Sequence, residues 1–195
     1  MASTGKVNKK EQRRQKLAEE KRRRWLLFGI PIILLAIISI GAIIYRLTQP
    51  DLEGVLSFDN LLRNHDLEAE FTAAGLPPTG GTHNPRWQNC GIYTEPVDDS
   101  LAVHSLEHGA VWLAYQPDLA GEKVAELQDM VRGESYILMS PFPGLQSEVV
   151  MSSWGKQLVI DAVPDEGIEQ FIERYKGAGP EPGAPCTDGV GQPQN

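Results

Sequence analysis

A run of 21 residues without a charged side chain, from Trp25 to Tyr45, constrains this chain more than any other feature. A helix of about 20 residues matches the hydrocarbon core of a bilayer. Trp25 and Tyr45 stand at the two ends, where amphipathic rings favour the headgroup region. Pro31 lies near one end, where it interrupts few backbone hydrogen bonds. The sequence therefore predicts a transmembrane helix over residues 25–46.

The charges on either side of this run predict its orientation. Residues 1–24 carry ten Lys and Arg against three Glu, whereas residues 47–195 carry seven Lys and Arg against 23 Asp and Glu. Because Lys and Arg accumulate on the cytoplasmic side, we expect a basic cytoplasmic tail over 1–24 and an extracytoplasmic C-terminal domain. A cleaved signal peptide is the alternative. It is disfavoured because the apolar run is longer than a usual signal core and no small-x-small cleavage site follows it.

The acidic outer region argues against nucleic acid as a partner, because phosphate binding relies on clustered Lys and Arg. The basic stretch before the apolar run could itself bind lipid or nucleic acid, but its role in setting the topology explains it fully. The predicted partners are therefore the lipid bilayer and, as candidates, other membrane proteins. The predicted location is the cell membrane, crossed once.

Hydrophobic patterning predicts an α+β domain in which a small mixed sheet is covered by helices. We expect a linker over 47–60 and the domain over 61–195, ending in a Gly/Pro-rich tail. Residues 61–75 suit either a helix or an irregular segment, and residues 76–85, with three Pro and two Gly, suit a fixed loop. The elements that follow are strands over 109–116, 136–140, 147–154 and 156–163, and helices over 122–132 and 165–176. Gly155 suggests a hairpin turn between the last two strands.

All four histidines lie in the outer domain, within one stretch of 44 residues. His104 and His108 are four positions apart, so both project from one face of a helical turn and can share a metal ion. His83 lies in the Gly/Pro-rich loop, and His65 can supply a fourth nitrogen. Imidazole suits Zn and Cu, so the sequence predicts a site for one of them on His83, His104, His108 and His65. The alternative is that His104 and His108 cap a turn and hydrogen-bond Glu107 or the backbone where the next strand begins.

Two methionines bear on the choice of metal. Met139 and Met151 lie in neighbouring predicted strands, where their thioethers could ligate an ion and favour copper. The favoured interpretation is that they fill the hydrophobic core.

The segment from His104 to His108 reads His-Ser-Leu-Glu-His, which matches the H-x-x-E-H signature of inverted zinc peptidases. In those enzymes the two histidines bind zinc and the glutamate activates water, a role that would fall to Glu107 here. That chemistry requires a long helix, whereas Gly109 and a strand pattern follow at once. Glu107 is therefore a weak catalytic candidate, and the favoured interpretation is a protein that is not an enzyme.

Cys90 and Cys186 are the only two cysteines, and both lie in the predicted outer domain. An oxidising compartment favours a disulfide between them. The bridge would attach a C-terminal tail that has little other means of attachment. A catalytic thiol pair is the alternative, but the usual C-x-x-C spacing is absent.

Several motifs together resemble the bacterial membrane-anchored proteins of the domain-of-unknown-function 3105 family. They are LPPTGGTH, RWQNCGIY, AVHSLEHGAVWLAY, SPFPGL, SWGKQL and the late APC, spread from about Asn64 to Cys186. All four histidines and both cysteines fall on the family's pattern. The loop departs from it, since it reads Gly80-Gly81-Thr82-His83 where many members carry Ser-Gly. The resemblance implies no established reaction.

Two hypotheses from different classes follow. The leading one is a membrane-tethered domain that binds Cu or Zn and serves metal handling or an electron-transfer assembly. The other is a module without catalytic activity that holds partner proteins at the outer face of the membrane.

Overall fold

The structure, a computed structural model, describes residues 9–48, 50–71 and 75–194. It divides into two compact units, Met1–Asp51 and Leu52–Asn195.

The N-terminal unit is helical. Helix α1 spans Lys9–Arg24, a π-helical turn spans Trp25–Gly29, and helix α2 spans Ile30–Thr48. The backbone N–H of Ile30 donates to the carbonyl of Trp25, so the wide turn comes immediately before Pro31, which has no N–H to donate. Among the described residues, one helix, Glu11–Tyr45, is long and apolar enough to cross a membrane. Those properties suit either a membrane anchor or a signal sequence.

The C-terminal unit is built on one six-stranded mixed sheet. In chain order its strands are β1 Leu56–Ser57, β2 Gly91–Ile92, β3 Val111–Tyr115, β4 Ile137–Pro141, β5 Val149–Ser153 and β6 Lys156–Ile160. The spatial order is β1-β6-β5-β3-β4-β2. Strand β4 runs parallel to β3 and β2, and the other pairs are antiparallel. The predicted α+β class with a helix-covered mixed sheet is confirmed.

Three helices cover the two faces of this sheet. They are α3 Asp99–Glu107, α4 Gly121–Val131 and α5 Glu166–Tyr175. Strand β3 is buried on both faces, and its side chains alternate between two apolar clusters. Val111, Leu113 and Tyr115 pack with the apolar side chains of α4 and α5, whereas Trp112 and Ala114 pack with those of α3. The sheet therefore separates α3 from α4 and α5.

The predicted core strands and the last two helices agree with the structure to within three residues at each end. Trp154 and Gly155 form the hairpin turn between β5 and β6, and Gly155 has a φ of +69°. Strand β1 lies inside the stretch expected to be a linker. Strands β1 and β2 were not predicted, because two residues are too few to show an alternating pattern.

Residues 61–71 contain no helix, and residues 72–74 lie outside the described part of the chain. The segment instead pairs with the Gly/Pro-rich loop. Asp66 N donates to the carbonyl of His83 at 2.8 Å, and His83 N donates to the carbonyl of Asn64 at 3.0 Å. This short parallel bridge sets His65 beside His83.

The C-terminal tail is attached by more than its disulfide, so the expectation that it has little other attachment is wrong. Cys90 and Cys186 are bonded, as predicted. Beyond the bridge, Asn89 N donates to the carbonyl of Val190, and Val190 N donates to the carbonyl of Trp87, both at 2.8 Å. The tail thus pairs with the segment that leads into β2.

Candidate metal centre

Helix α3 supplies two of the clustered side chains. It begins at Asp98, whose carboxylate accepts hydrogen bonds from the backbone N–H groups of Ser100 and Leu101 and so caps the helix. His104 and Glu107 lie in its last turn, and His108 is the C-terminal cap. All three are buried. The C-terminal end of α3 therefore carries three buried polar side chains.

The loop that carries His83 needs two glycines. Gly80 and Gly81 have φ values of +150° and +115°, in the region that favours glycine. A Cβ on Gly80 would lie 2.7 Å from Leu61 Cδ1, so the loop also has no space for a side chain there. This backbone turns the His83 side chain into the protein, where it is fully buried.

Three of the histidines are oriented by backbone carbonyls. The Nδ1–H groups of His83, His104 and His108 donate to the carbonyls of Gly81, Asn84 and Pro185, each at 2.7 Å. A carbonyl oxygen can only accept, so Nδ1 must carry the hydrogen. Each neutral ring then presents the lone pair of Nε2, the atom that binds metal, to the interior of the cluster. Fixing the tautomer through the opposite nitrogen is the usual arrangement of metal-binding histidines.

Four side chains form a compact set of potential ligands. His65, His83, His104 and Glu107 each offer one ligand atom, and these atoms all lie within 4.8 Å of one another. The rings of His65 and His104 stack with centroids 4.8 Å apart and planes 6° apart. His65 is exposed and the other three are buried. The set therefore reaches the surface at His65.

Two contacts inside the cluster join hydrogen-bond acceptors. His104 Nε2 and His108 Nε2 lie 3.0 Å apart, and His83 Nε2 lies 3.0 Å from Glu107 Oε2. When the rings are neutral and Nδ1 carries the hydrogen, all four atoms carry lone pairs and none carries a hydrogen. Such contacts are costly in a buried site unless a positive charge, either a proton or a metal ion, lies between the acceptors. The cluster is therefore arranged to receive a cation.

The protonation of His104 follows from its surroundings. Burial lowers its pKa, the hydrogen bond to the Asn84 carbonyl opposes that effect, and the nearby His108, His83 and His65 lower the pKa again. The net direction is downward. Neutral imidazole, the form that ligates metals, is therefore favoured at His104.

A family model described as a protein of unknown function, DUF3105, matches residues 66–188, which is more than half of the chain. The chain belongs to the DUF3105 family. No curated protein and no solved structure matches it.

The part of the chain shared with DUF3105 contains most of the candidate site. His83, His104, Glu107 and His108 lie inside the matched residues, as do Cys90 and Cys186. His65 lies one residue before the match begins. The family description assigns no activity, so the chemistry must be argued from the geometry.

Other predicted ligands of this DUF3105 protein lie apart from the set of four. His108 is outside it, with its Nε2 3.0 Å from His104 Nε2. Met139 and Met151 flank Leu113 across the sheet and are fully buried in the apolar cluster under α4 and α5. Because α3 lies on the opposite face, the structure does not bring either thioether to the histidines.

Sequence reasoning missed several residues that shape the centre. Glu107 was predicted as a weak catalytic base or as a hydrogen-bond partner of histidines, and not as a metal ligand, yet its carboxylate lies among the imidazoles. Trp87 packs against His104 and His108, with ring centroids 5.8 and 4.9 Å away, and Trp154 packs against His83 at 5.7 Å. The carbonyls of Gly81, Asn84 and Pro185 leave no signal in the sequence. Trp87 could have been found from the sequence, because it lies in the WQNCG motif.

Proposed function

We propose that this protein binds one divalent transition-metal ion, zinc or copper, through His65, His83, His104 and Glu107. The observation that carries the proposal is that backbone carbonyls hold Nδ1 of His83 and His104, while one ligand atom from each of these rings, from His65 and from the Glu107 carboxylate lies within 4.8 Å of the others. Three nitrogens and one oxygen suit Zn²⁺ or Cu²⁺. Cu⁺ prefers sulfur ligands, and both cysteines are in a disulfide.

The location of Glu107 supports a ligand role rather than a peptidase mechanism. Its Oε2 lies 3.0 Å from His83 Nε2 and 3.4 Å from His65 Nε2, so it is positioned to share the ion with them. Helix α3 ends at Glu107, and His108 follows as its cap. The long helix that inverted zinc peptidases require is absent from this part of the structure.

The proposed setting is the outer face of the cell membrane, with the apolar helix as an anchor and residues 1–24 in the cytoplasm. The disulfide supports an oxidising compartment, and the basic N-terminal residues support that orientation. In this setting the domain would take part in metal handling or serve an electron-transfer assembly. A reporter fused after Asn195 should be accessible from outside intact cells, and accessibility only from the cytoplasm would contradict the proposed setting.

Metal analysis of the purified full-length chain in detergent tests the proposed ligand set. After equilibration with Zn²⁺ or Cu²⁺ and removal of free ion, we expect about one equivalent per chain. His104→Ala should lose most of it, because it removes one of the two buried, oriented imidazoles. Met151→Leu is the matched control and should retain the full amount, since Met151 lies across the sheet. Binding below about a tenth of an equivalent in the unaltered chain would end the proposal.

A further inference from the structure

His108 is an oriented imidazole that the proposed ligand set does not use. Its Nδ1–H donates to the carbonyl of Pro185, so its Nε2 lone pair is as fixed as those of the ligands. That Nε2 lies 3.0 Å from His104 Nε2 and 3.7 Å from Glu181 Oε2. His104, His108 and Glu181 therefore form a second donor set, which shares one member with the first.

Glu181 is held beside His108 by the backbone. Its N–H donates to the carbonyl of Glu107 at 3.0 Å, and this bond fixes the tail against the end of α3. The Glu181 side chain is 49% exposed, whereas that of His108 is 5% exposed. A carboxylate at the surface thus leads directly to a buried imidazole.

The donors form a row with an exposed residue at each end. The row begins at Glu181 and continues through His108 to His104, which lies beside His83, Glu107 and His65. The side chain of His65 is 42% exposed. The side chains of His83 and Glu107 are 0% and 2% exposed. Solvent therefore reaches the row at its two ends.

His104 cannot serve both donor sets at once. Its Nδ1 carries the hydrogen that binds the Asn84 carbonyl, so only the single lone pair of Nε2 is left for an ion. Two ions, one in each donor set, therefore cannot both bind His104 Nε2. The two positions are mutually exclusive, and His104 is the ligand common to both.

We propose that a divalent metal ion moves along this row, between an entry position at Glu181, His108 and His104 and the main position at His65, His83, His104 and Glu107. This inference rests on the proposed function. In each inward transfer the ion loses its bonds to His108 Nε2 and the Glu181 carboxylate and gains bonds to His83, His65 and the Glu107 carboxylate. It keeps His104 Nε2 and its oxidation state. Between neutral imidazoles the transfer exchanges ligands without a proton or an electron.

Binding kinetics distinguish a transit ligand from an ordinary one. Loss of an ordinary ligand raises Kd, usually by ten-fold or more and mainly through faster release. Loss of a transit ligand slows entry and release together and leaves Kd nearly unchanged. Rapid mixing of the full-length chain in detergent with Cu²⁺, followed by tryptophan fluorescence, gives the entry rate, and transfer to a chelator gives the release rate. Trp87 reports arrival because it packs against His104 and His108.

Glu181→Gln and His108→Gln are the test variants. We expect each to lower the entry and release rates about five-fold or more, with Kd changed by less than about three-fold. Glu126→Gln is the matched control for net charge, because Glu126 is exposed on α4, across the sheet. It should leave both rates unchanged. If His108→Gln fails to fold, the surface variant Glu181→Gln still decides the question.

Two results would overturn the relay. Unchanged rates in both variants would show that the entry position is not used. A Kd raised about ten-fold or more in His108→Gln, with unchanged entry, would make His108 an ordinary ligand. Both leave the proposed function intact. Absence of metal binding in the unaltered chain would instead reject the proposed function and the relay together.

Discussion

Glu107 is expected to lower the stability of the metal-free protein and to raise its affinity for metal. Its buried carboxylate lies 3.0 Å from Nε2 of His83, and with a neutral His83 this is a contact between two acceptors that a cation relieves. The same arrangement that is unfavourable without an ion is favourable with one. Removing the charge while keeping the shape should therefore affect the two states in opposite directions.

We predict that Glu107→Gln stabilises the metal-free protein by about 1 kcal/mol, because the new amide can donate a hydrogen bond to His83 Nε2. Metal affinity should fall about ten-fold or more, since an anionic ligand is lost. Unfolding in the presence of a chelator measures the first effect, and metal titration measures the second. A variant destabilised without metal would show that His83 is protonated and paired with Glu107.

Asp99 gives a pH dependence that is separate from the metal centre. Burial, with the nearby charge of Asp98, raises the pKa of Asp99 to about 6. A carboxyl with a raised folded-state pKa binds protons more readily in the folded state. Its contribution to stability therefore becomes less favourable as the pH rises from about 4 to about 6.

We predict that Asp99→Asn raises the free energy of unfolding by about 1 kcal/mol at pH 8, a value reduced for the partial exposure of the side chain. The difference from the unaltered protein should disappear near pH 3.5, where Asp99 is protonated in both states. Chemical denaturation of both proteins at pH 8 and pH 3.5 measures this difference in the free energy of unfolding. Asp118→Asn, at an exposed position, should show no such dependence, and an equal gain at both pH values would contradict the assigned cause.

At the scale of elements, the end of α3 is held by close backbone packing. Gly109 follows the helix with a φ of +96°, and Gly177 N donates to its carbonyl at 2.8 Å. A Cβ on Gly109 would lie 2.9 Å from Gly177 Cα. The positions of His104 and Glu107 therefore depend on Gly109, which lies just beyond the end of α3 and packs against the backbone at Gly177.

We predict that Gly109→Ala lowers the free energy of unfolding by about 3 kcal/mol, combining the left-handed conformation with a backbone clash. Gly133→Ala is the matched control, because Gly133 has a φ of +78° and nothing lies within 4 Å of its added Cβ. It should cost only about 1 kcal/mol. Urea denaturation measures both. Equal losses would show that the conformation, and not the contact with Gly177, is decisive.

At the scale of the whole molecule, the tail closes the domain on itself. The disulfide joins residues 96 positions apart, and the tail adds the Pro185 carbonyl to His108 and the Glu181 backbone to Glu107. The attached tail therefore orients His108 and binds the backbone at Glu107. Without the tail, Nδ1 of His108 would lose the Pro185 carbonyl that orients its ring.

We predict that replacing Cys90 and Cys186 together by Ser lowers the free energy of unfolding by about 4–5 kcal/mol, the chain-entropy value for a loop of this size. Equilibrium denaturation under oxidising conditions measures the loss. A reducing agent should destabilise the unaltered protein by a similar amount and leave the double variant unchanged. A loss below about 1 kcal/mol would show that the backbone hydrogen bonds of the tail suffice to hold it.

Local patterns account for the parts of this protein that sequence analysis predicted. The uncharged run from Trp25 to Tyr45, the core strands and helices α4 and α5 are each visible within one segment, because hydrophobic periodicity and length are local properties. The presence of the disulfide was also predictable, since Cys90 and Cys186 have no other cysteine to pair with. The gathering of the histidines was suggested by their proximity in the chain.

Tertiary structure alone decided the composition of the candidate site. The compact set contains Glu107 and does not include His108, and the tautomers of His83, His104 and His108 depend on the carbonyls of Gly81, Asn84 and Pro185. Met139 and Met151 were separated from the site by the face of the sheet they occupy. These are contacts between segments far apart in the chain, and backbone carbonyls are the same in every residue, so no local pattern could specify them.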